Sequence, residues 1–221
     1  MRIVVQVATQ SEWASLLGVL KYPSEVQPVL GGEFIRFSQG NAEVIAVRGG
    51  VGKVDAAAMA QYAILTWQPD LVVVMGTGGA VDPGLSVLDI VMATHTIIHD
   101  IDSGLDGSGD ENIRELTTDV EVPVLPPVLP FPVYLGTVLT GDCDVTGRNV
   151  ERLRARFAGL VADWESGAVA RVCKLNNVRC LVLRGVSDTP YTDGQVQLNS
   201  YLENTPVIMA RLWMLLTELI A

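Results

Sequence analysis

Cysteine, histidine and positive charge are all scarce in this chain. Three cysteines occur among 221 residues, Cys143, Cys173 and Cys180. Their odd number and lack of paired spacing exclude a disulfide framework and a cysteine zinc site, and fit a reducing cytoplasm. The two histidines, His95 and His99, are spaced like metal ligands but straddle an expected strand end without a compact set of partners, so neither a metal nor any other cofactor is expected. Lys and Arg number 15 against 25 Asp and Glu, a formal net charge of −10. That charge repels nucleic-acid phosphates and anionic membrane surfaces, and no basic run offsets it. No apolar stretch approaches the roughly 20 residues needed to span a bilayer, since the run from Val207 to Ala221 is broken by Arg211 and Glu218. The segment from Met1 to Ala8 lacks the apolar stretch and cleavage site of a secretory leader, and reads as a strand.

What is present is an apolar, weakly charged composition, 49% hydrophobic and 18% charged, which places the chain among compact proteins; its length fits a single domain over 1–221. β-branched runs read as strands at Arg2 to Ala8, Ala42 to Val47, Leu71 to Met75, Leu88 to Thr94, Val133 to Leu139, Leu160 to Trp164 and Cys180 to Val186. Helices are expected over Ser11 to Leu20, Lys53 to Thr66, Asn149 to Phe157, Gly167 to Asn176 and Pro206 to Leu219, with Ser11 and Thr205 as N-caps. This alternation predicts an α/β fold, a mixed or parallel sheet covered on both faces, with ligands bound beyond the carboxyl ends of the strands. Between about residues 102 and 132 the pattern lapses into Asp-Gly-Ser-Gly-Asp and then five prolines, from Pro123 to Pro132, read as an excursion loop that is either functional or a surface insertion.

Two glycine clusters stand at strand ends. Gly49-Gly50-Val51-Gly52-Lys53-Val54 fails as a nucleotide phosphate loop, because Val47 and Val54 stand where Gly and Ser or Thr are required. A tight strand-to-helix turn is the plainer reading. Gly76-Thr77-Gly78-Gly79 lacks the dinucleotide spacing, and reads either as a loop that lets a ligand approach the backbone or as a turn. Three carboxylates, Glu12, Glu165 and Asp188, fall just beyond strands. Glycosidic cleavage through an oxocarbenium-like transition state uses one group to protonate the leaving side and another to orient water; in an acidic protein such carboxylates are also common on solvated surface.

In this order, Glu12, Gly50-Val51-Gly52-Lys53-Val54, Gly76-Thr77-Gly78-Gly79, Leu88-Asp89-Ile90-Val91, Gly141-Asp142, Asp163-Trp164-Glu165-Ser166-Gly167-Ala168 and Arg184-Gly185-Val186-Ser187-Asp188 resemble the 5′-methylthioadenosine/S-adenosylhomocysteine nucleosidases of the purine nucleoside phosphorylase superfamily. The resemblance covers most of the chain outside residues 102–132. It implies a single-domain three-layer sandwich, a central mixed sheet flanked by helices, assembled as a homodimer whose partner helps close the site. It further implies a cytoplasmic enzyme of methionine salvage, acting on a small-molecule nucleoside. Position by position, Asp188 becomes the general acid toward purine N7 and Glu12 the group that holds or activates water. Glu165 accepts from the ribose hydroxyls, Thr77, Gly78 and Val51 line the ribose and water site, and Ser187 and Arg184 orient Asp188. Asp163, Trp164 and Val145 fall on substrate-lining positions where the chain departs from the family: Trp164 replaces a Met, Asp163 a Glu, and Asp144-Val145 an expected base-stacking aromatic. Tyr191 and Tyr201 are candidates for that stacking. Hydrolysis is expected over phosphorolysis, because Glu12 stands where phosphorylases bind phosphate and no Arg precedes Gly76. Arg48 is the one guanidinium that keeps a phosphate-dependent phosphorylase open as an alternative. The other is a nucleoside-binding protein without catalysis.

Overall fold

The computed structural model describes residues 1–20, 25–101, 109–190 and 194–220. The strands are β1 (Arg2–Val7), β2 (Gln27–Val29), β3 (Gly32–Gln39), β4 (Ala42–Arg48), β5 (Leu71–Ala80), β6 (Ile90–Ile98), β7 (Thr118–Asp119), β8 (Val133–Thr140), β9 (Gly159–Asp163) and β10 (Arg179–Asp188). The helices are α1 (Gln10–Val19), α2 (Gly52–Trp67), α3 (Gly109–Leu116), α4 (Val150–Phe157), α5 (Ser166–Leu175) and α6 (Gly194–Leu219). None of the described helices is long and apolar enough to cross a membrane.

Apolar side chains on both faces drive β1 and β5 to the centre of the sheet, where both are buried almost throughout. Along β1 the side chains alternate between two cores. Val4 packs with Ala56, Ala60 and Ala63 of α2 and with Val169 and Cys173 of α5. Ile3, Val5 and Val7 pack with Trp13 and Leu16 of α1 and with Ile208, Leu212 and Leu216 of α6. Helices thus cover both faces of a mixed sheet, as expected.

On one side of β5 the sheet runs through β1, β4, β3 and β2. On the other it curls, because β5 pairs with β10, β10 with β6, β6 with β8, β8 with β9, and β9 returns to β5. The return is made possible by the length of β5. Leu71–Val74 pairs with β1, while Gly79 and Ala80 pair with β9 along the far end. Gly76-Thr77-Gly78-Gly79 is therefore neither a loop nor a turn but strand, paired with Arg184, Gly185, Val186 and Asp188 of β10. Side chains at the glycines would meet neighbours: a Cβ on Gly76 would overlap Arg184 and Glu12, and one on Gly78 would press on the Ala162 carbonyl.

The structure shifts several expected boundaries. The cap of α1 is Thr9 and not Ser11: the Thr9 hydroxyl accepts from the Glu12 amide at 3.1 Å and Glu12 Oε2 accepts from the Thr9 amide at 3.0 Å, a reciprocal capping box. Thr205 is no cap either, since α6 begins eleven residues earlier, at Gly194, and runs through Pro206. The Thr205 hydroxyl instead donates to the Tyr201 carbonyl at 2.6 Å, and tertiary packing of Ile208, Met209 and Leu212 outweighs the lost backbone bond. The expected excursion loop carries α3 and β7, and β7 pairs with His95 and Thr96 of β6. Edge strands β2 and β3 were not anticipated.

β10 crosses under α6 at Gly185, where a Cβ would overlap the fully buried Ile208. Gly185→Ala is expected to destabilise the fold by about 2 kcal/mol through overpacking, lowering the thermal midpoint by roughly 4–8 °C. An unchanged midpoint would show that α6 is not seated on β10 in this way.

Candidate active site

The carboxyl ends of β1, β4, β5, β9 and β10 converge on one cavity of about 390 Å³, within the range of small-molecule sites. Its wall includes Glu12, Val51, Thr77, Gly78, Val145, Asp163, Trp164, Glu165, Ser187 and Asp188. Of the expected site residues only Arg184 does not line it.

Glu12 is 1% exposed, delivered to the cavity floor by the first turn of α1. Oε2 accepts from the Ala8 and Thr9 amides at 3.1 and 3.0 Å, and Oε1 from the Thr77 amide at 2.7 Å and the Thr77 hydroxyl at 2.9 Å. Three of the four donors are fixed backbone groups. The Thr77 hydroxyl is the one rotor, so it is the donor that yields when Oε1 takes a new partner.

Asp163 ends β9 and anchors the turn into α5. Oδ1 accepts from the Thr140 hydroxyl at 2.6 Å and from the Glu165 and Ser166 amides at 3.2 Å, while Oδ2 meets Arg184 Nε at 2.6 Å. With both oxygens engaged and the side chain 2% exposed, Asp163 shapes the site and does not offer its carboxylate to a ligand.

Arg184, also buried at 1% exposure, donates through Nε to Ser166 Oγ at 2.9 Å and through Nη1 to the Thr77 carbonyl at 3.2 Å. Its Nη2 has no hydrogen-bond partner and lies 3.7 Å from Glu165 Oε2. The expectation that Arg184 orients Asp188 is corrected: Arg184 faces the opposite wall, and its partners are the Asp163–Glu165 turn and the Thr77 backbone.

Glu165 Oε1 accepts from the Gly52 amide at 2.9 Å, at the positive end of α2, where Val51 is the cap residue. The neighbouring Lys53 amide donates to Asp142 Oδ1 at 3.0 Å, and its ammonium pairs with Asp100. Gly50 and Gly52 both have φ near +85°, which makes the expected tight strand-to-helix turn here a glycine requirement. Burial pushes the Glu165 carboxyl up to about 7; Arg184 opposes the shift, while Asp163 and Glu12 add to it.

Asp188 closes the other end. The single hydroxyl hydrogen of Ser187 serves Oδ1 at 2.6 Å, with the Gly78 carbonyl a second acceptor within its reach at 3.3 Å. Burial raises the Asp188 carboxyl above the ordinary range, the hydrogen bonds from Ser187 and Gln197 oppose that shift, and the charge of Asp144 adds to it.

The wall also holds residues that the sequence did not single out: Thr9, Cys143, Gln197 and Leu198. Thr9 was findable, since Thr9-x-x-Glu12 is a capping-box pattern. Gln197 carried no signal, because nothing upstream of Pro206 marked α6. Of the two tyrosines considered for base stacking, Tyr201 lines the cavity with its hydroxyl 2.7 Å from Thr9 Oγ1, and Tyr191 lies outside the described residues. Trp164 is the other aromatic on the wall. Arg48 does not reach the cavity. His95 shares hydrogen bonds with the hydroxyls of Thr94 and Thr137.

Residues 2–221 match the sequence model of the Phosphorylase superfamily. The chain is 30% identical over 222 residues to the 5′-methylthioadenosine/S-adenosylhomocysteine nucleosidase of Bacillus subtilis (strain 168), covering 94% of each protein. Its fold matches that of Streptococcus pneumoniae MTA/SAH nucleosidase in complex with 8-aminoadenine, at a TM-score of 0.84 and 24% identity over 100% of this chain and 99% of that one. It also matches that of Helicobacter pylori futalosine hydrolase, at a TM-score of 0.84 and 21% identity over 99% and 98%. With this fold, this cavity and these relatives, the chain belongs to the phosphorylase superfamily and, within it, to the 5′-methylthioadenosine/S-adenosylhomocysteine nucleosidases.

Proposed function

We propose that this protein hydrolyses the N-glycosidic bond of a 5′-substituted adenosine, such as 5′-methylthioadenosine or S-adenosylhomocysteine, and releases adenine. The observation that carries this reading is the charge of the cavity wall. Glu12, Asp144, Asp163, Glu165 and Asp188 line it, whereas no Lys, Arg or His does among the described residues. Such a wall offers a phosphate nucleophile no cation to bind and suits a neutral one, water, which disfavours the phosphorylase alternative.

In this mechanism Asp188, whose protonated form burial favours, donates to purine N7 as the bond to the ribose lengthens. Glu165 accepts from the ribose hydroxyls through Oε2 while Oε1 stays on the Gly52 amide. Water enters beside Glu12 Oε1, displacing the Thr77 hydroxyl, and attacks the anomeric carbon from the face opposite the base as the glycosidic C–N bond breaks, passing its proton to the Glu12 carboxylate. Three acids placed for three separate tasks also disfavour a binding protein without catalysis, which has no use for a carboxylate on the water side. We further propose a cytoplasmic homodimer in methionine salvage whose partner closes the cavity mouth. Val51 and Trp164 on the wall and Val54 in the first turn of α2 are 47%, 36% and 79% exposed, an apolar rim that a second copy would cover.

Adenine release is expected to proceed at full rate in phosphate-free buffer; strict dependence on phosphate would establish a phosphorylase instead. Asp188→Asn is expected to cut turnover by about 10²–10⁴-fold with only a small change in nucleoside affinity, measured by single-turnover assay and calorimetry. Wild-type rates in that variant would remove Asp188 from the acid role.

Glu165 gives a pH dependence with a definite sign. Its folded value of about 7 stands above the ordinary 4.5, so its contribution to stability is complete below pH 4.5 and is lost as pH rises through about 7. Ribose hydroxyls donate to the ionised form, so nucleoside affinity is expected to rise with pH up to about 7 and then level off. Glu165→Gln is expected to abolish that dependence; a pH-independent affinity in the wild type would contradict the assignment.

A further inference from the structure

The first turns of α6 present a polar stripe at helical spacing, Gln197, Ser200, Tyr201 and Asn204, and each member is bonded to a catalytic segment. Ser200 Oγ and Asn204 Nδ2 donate to the Ser187 carbonyl at 2.7 and 3.2 Å. The Tyr201 hydroxyl meets Thr9, whose own hydroxyl accepts from the Glu12 amide. Gln197 Nε2 lies 3.3 Å from Asp188 Oδ2, 3.3 Å from the Val145 carbonyl and 3.2 Å from the Thr189 carbonyl. The Val145 and Thr189 carbonyls can only accept, so the amide orientation is settled: nitrogen faces the acid.

We propose that Gln197 is the positioning residue of the general acid, holding the Asp188 carboxyl in register with the Val145 wall and fixing the pH range over which it keeps its proton. This rests on the reading of Asp188 as the acid.

The chemistry follows from counting donors. The amide has two hydrogens and three acceptors around it. When Asp188 is ionised, one hydrogen serves Oδ2; when Asp188 is protonated, both hydrogens serve the carbonyls of Val145 and Thr189. The two protonation states are therefore accommodated without an orphaned donor. Ser187 holds Oδ1 by the shorter bond, so the transferable proton belongs on Oδ2, the oxygen shared with Gln197. Gln197 is also the neighbour whose replacement changes the balance at Oδ2. β5 offers only Gly79 there, its position 3.5 Å from Oδ2 when extended by a Cβ. The segment from Cys143 to Val145 brings Asp144 and Cys143, α6 brings Tyr201, and Glu12 and Glu165 stand elsewhere on the same wall. No cation among the described wall residues competes with the amide.

The test is the pH profile of kcat/KM for methylthioadenosine hydrolysis in the wild type, Gln197→Ala and Gln197→Glu, with thermal melts to confirm folding. Losing the donor favours the protonated acid, so Gln197→Ala is expected to move the alkaline limb upward by about half a unit to one unit and to lower kcat about tenfold with a smaller change in KM. Gln197→Glu, which sets a second carboxylate against Oδ2, is expected to move the limb further in the same direction. A uniform loss of rate with an unmoved limb in both variants overturns the proposal and leaves Gln197 a packing residue. Asp188→Asn separates the two readings: lost turnover there, with unmoved limbs in the Gln197 variants, removes the role of Gln197 alone, whereas retained turnover removes the acid assignment itself.

Discussion

One buried guanidinium holds the site together. Arg184 projects from β10 into an interior of carboxylates, 2.6 Å from Asp163 and 3.7 Å from Glu165, and reaches the carbonyl of Thr77, whose amide and hydroxyl hold Glu12. A charge this deep is costly unless paired. The pairing it finds fixes the turn that carries Glu165 and the strand that carries Thr77. Gly76 belongs to the same constraint, since a side chain there would overlap both Arg184 and Glu12. The curl of the sheet at β5 and the placement of the acids are thus one structural solution.

The arrangement divides labour between two ends of the cavity. At the ribose end burial and the neighbouring acids push the Glu165 carboxyl up to about 7 against the cation and the helix terminus, so that it ionises near neutral pH and can accept hydroxyl hydrogen bonds. At the base end no cation among the described wall residues stands by Asp188, and burial shifts its carboxyl toward the protonated form. The two carboxyl groups acquire different tasks from different partners: Glu165 faces the arginine and a helix terminus, Asp188 a serine hydroxyl and a side-chain amide.

Much of this was legible in the sequence. β1, β4, β8, β9 and β10 and the four helices α1, α2, α4 and α5 follow from apolar runs and periodicity, and Glu12, Glu165 and Asp188 from their places just past strands. Edge strands β2 and β3 were not, because a half-exposed edge carries no continuous apolar run. The true start of α6 was hidden by Pro206, a helix-breaking signal that packing against β10 overrides. The glycine segment of β5 was misread because its pairing partners, Arg184 to Asp188, lie a hundred residues away and no local pattern reports them. For the same reason the partners of Arg184 were assigned to the wrong acid: its direction is set by a long-range register.

The central claim is that Arg184 compensates the buried carboxylates of the Asp163–Glu165 turn. It is tested most directly by the unfolding free energy of Arg184→Ala relative to wild type at pH 5 and pH 8. With the cation gone, these acids must ionise unpaired as pH rises, so the loss is predicted to be large, about 3–5 kcal/mol, and greater at pH 8 than at pH 5. A small loss, or one equal at both pH values, would contradict the account.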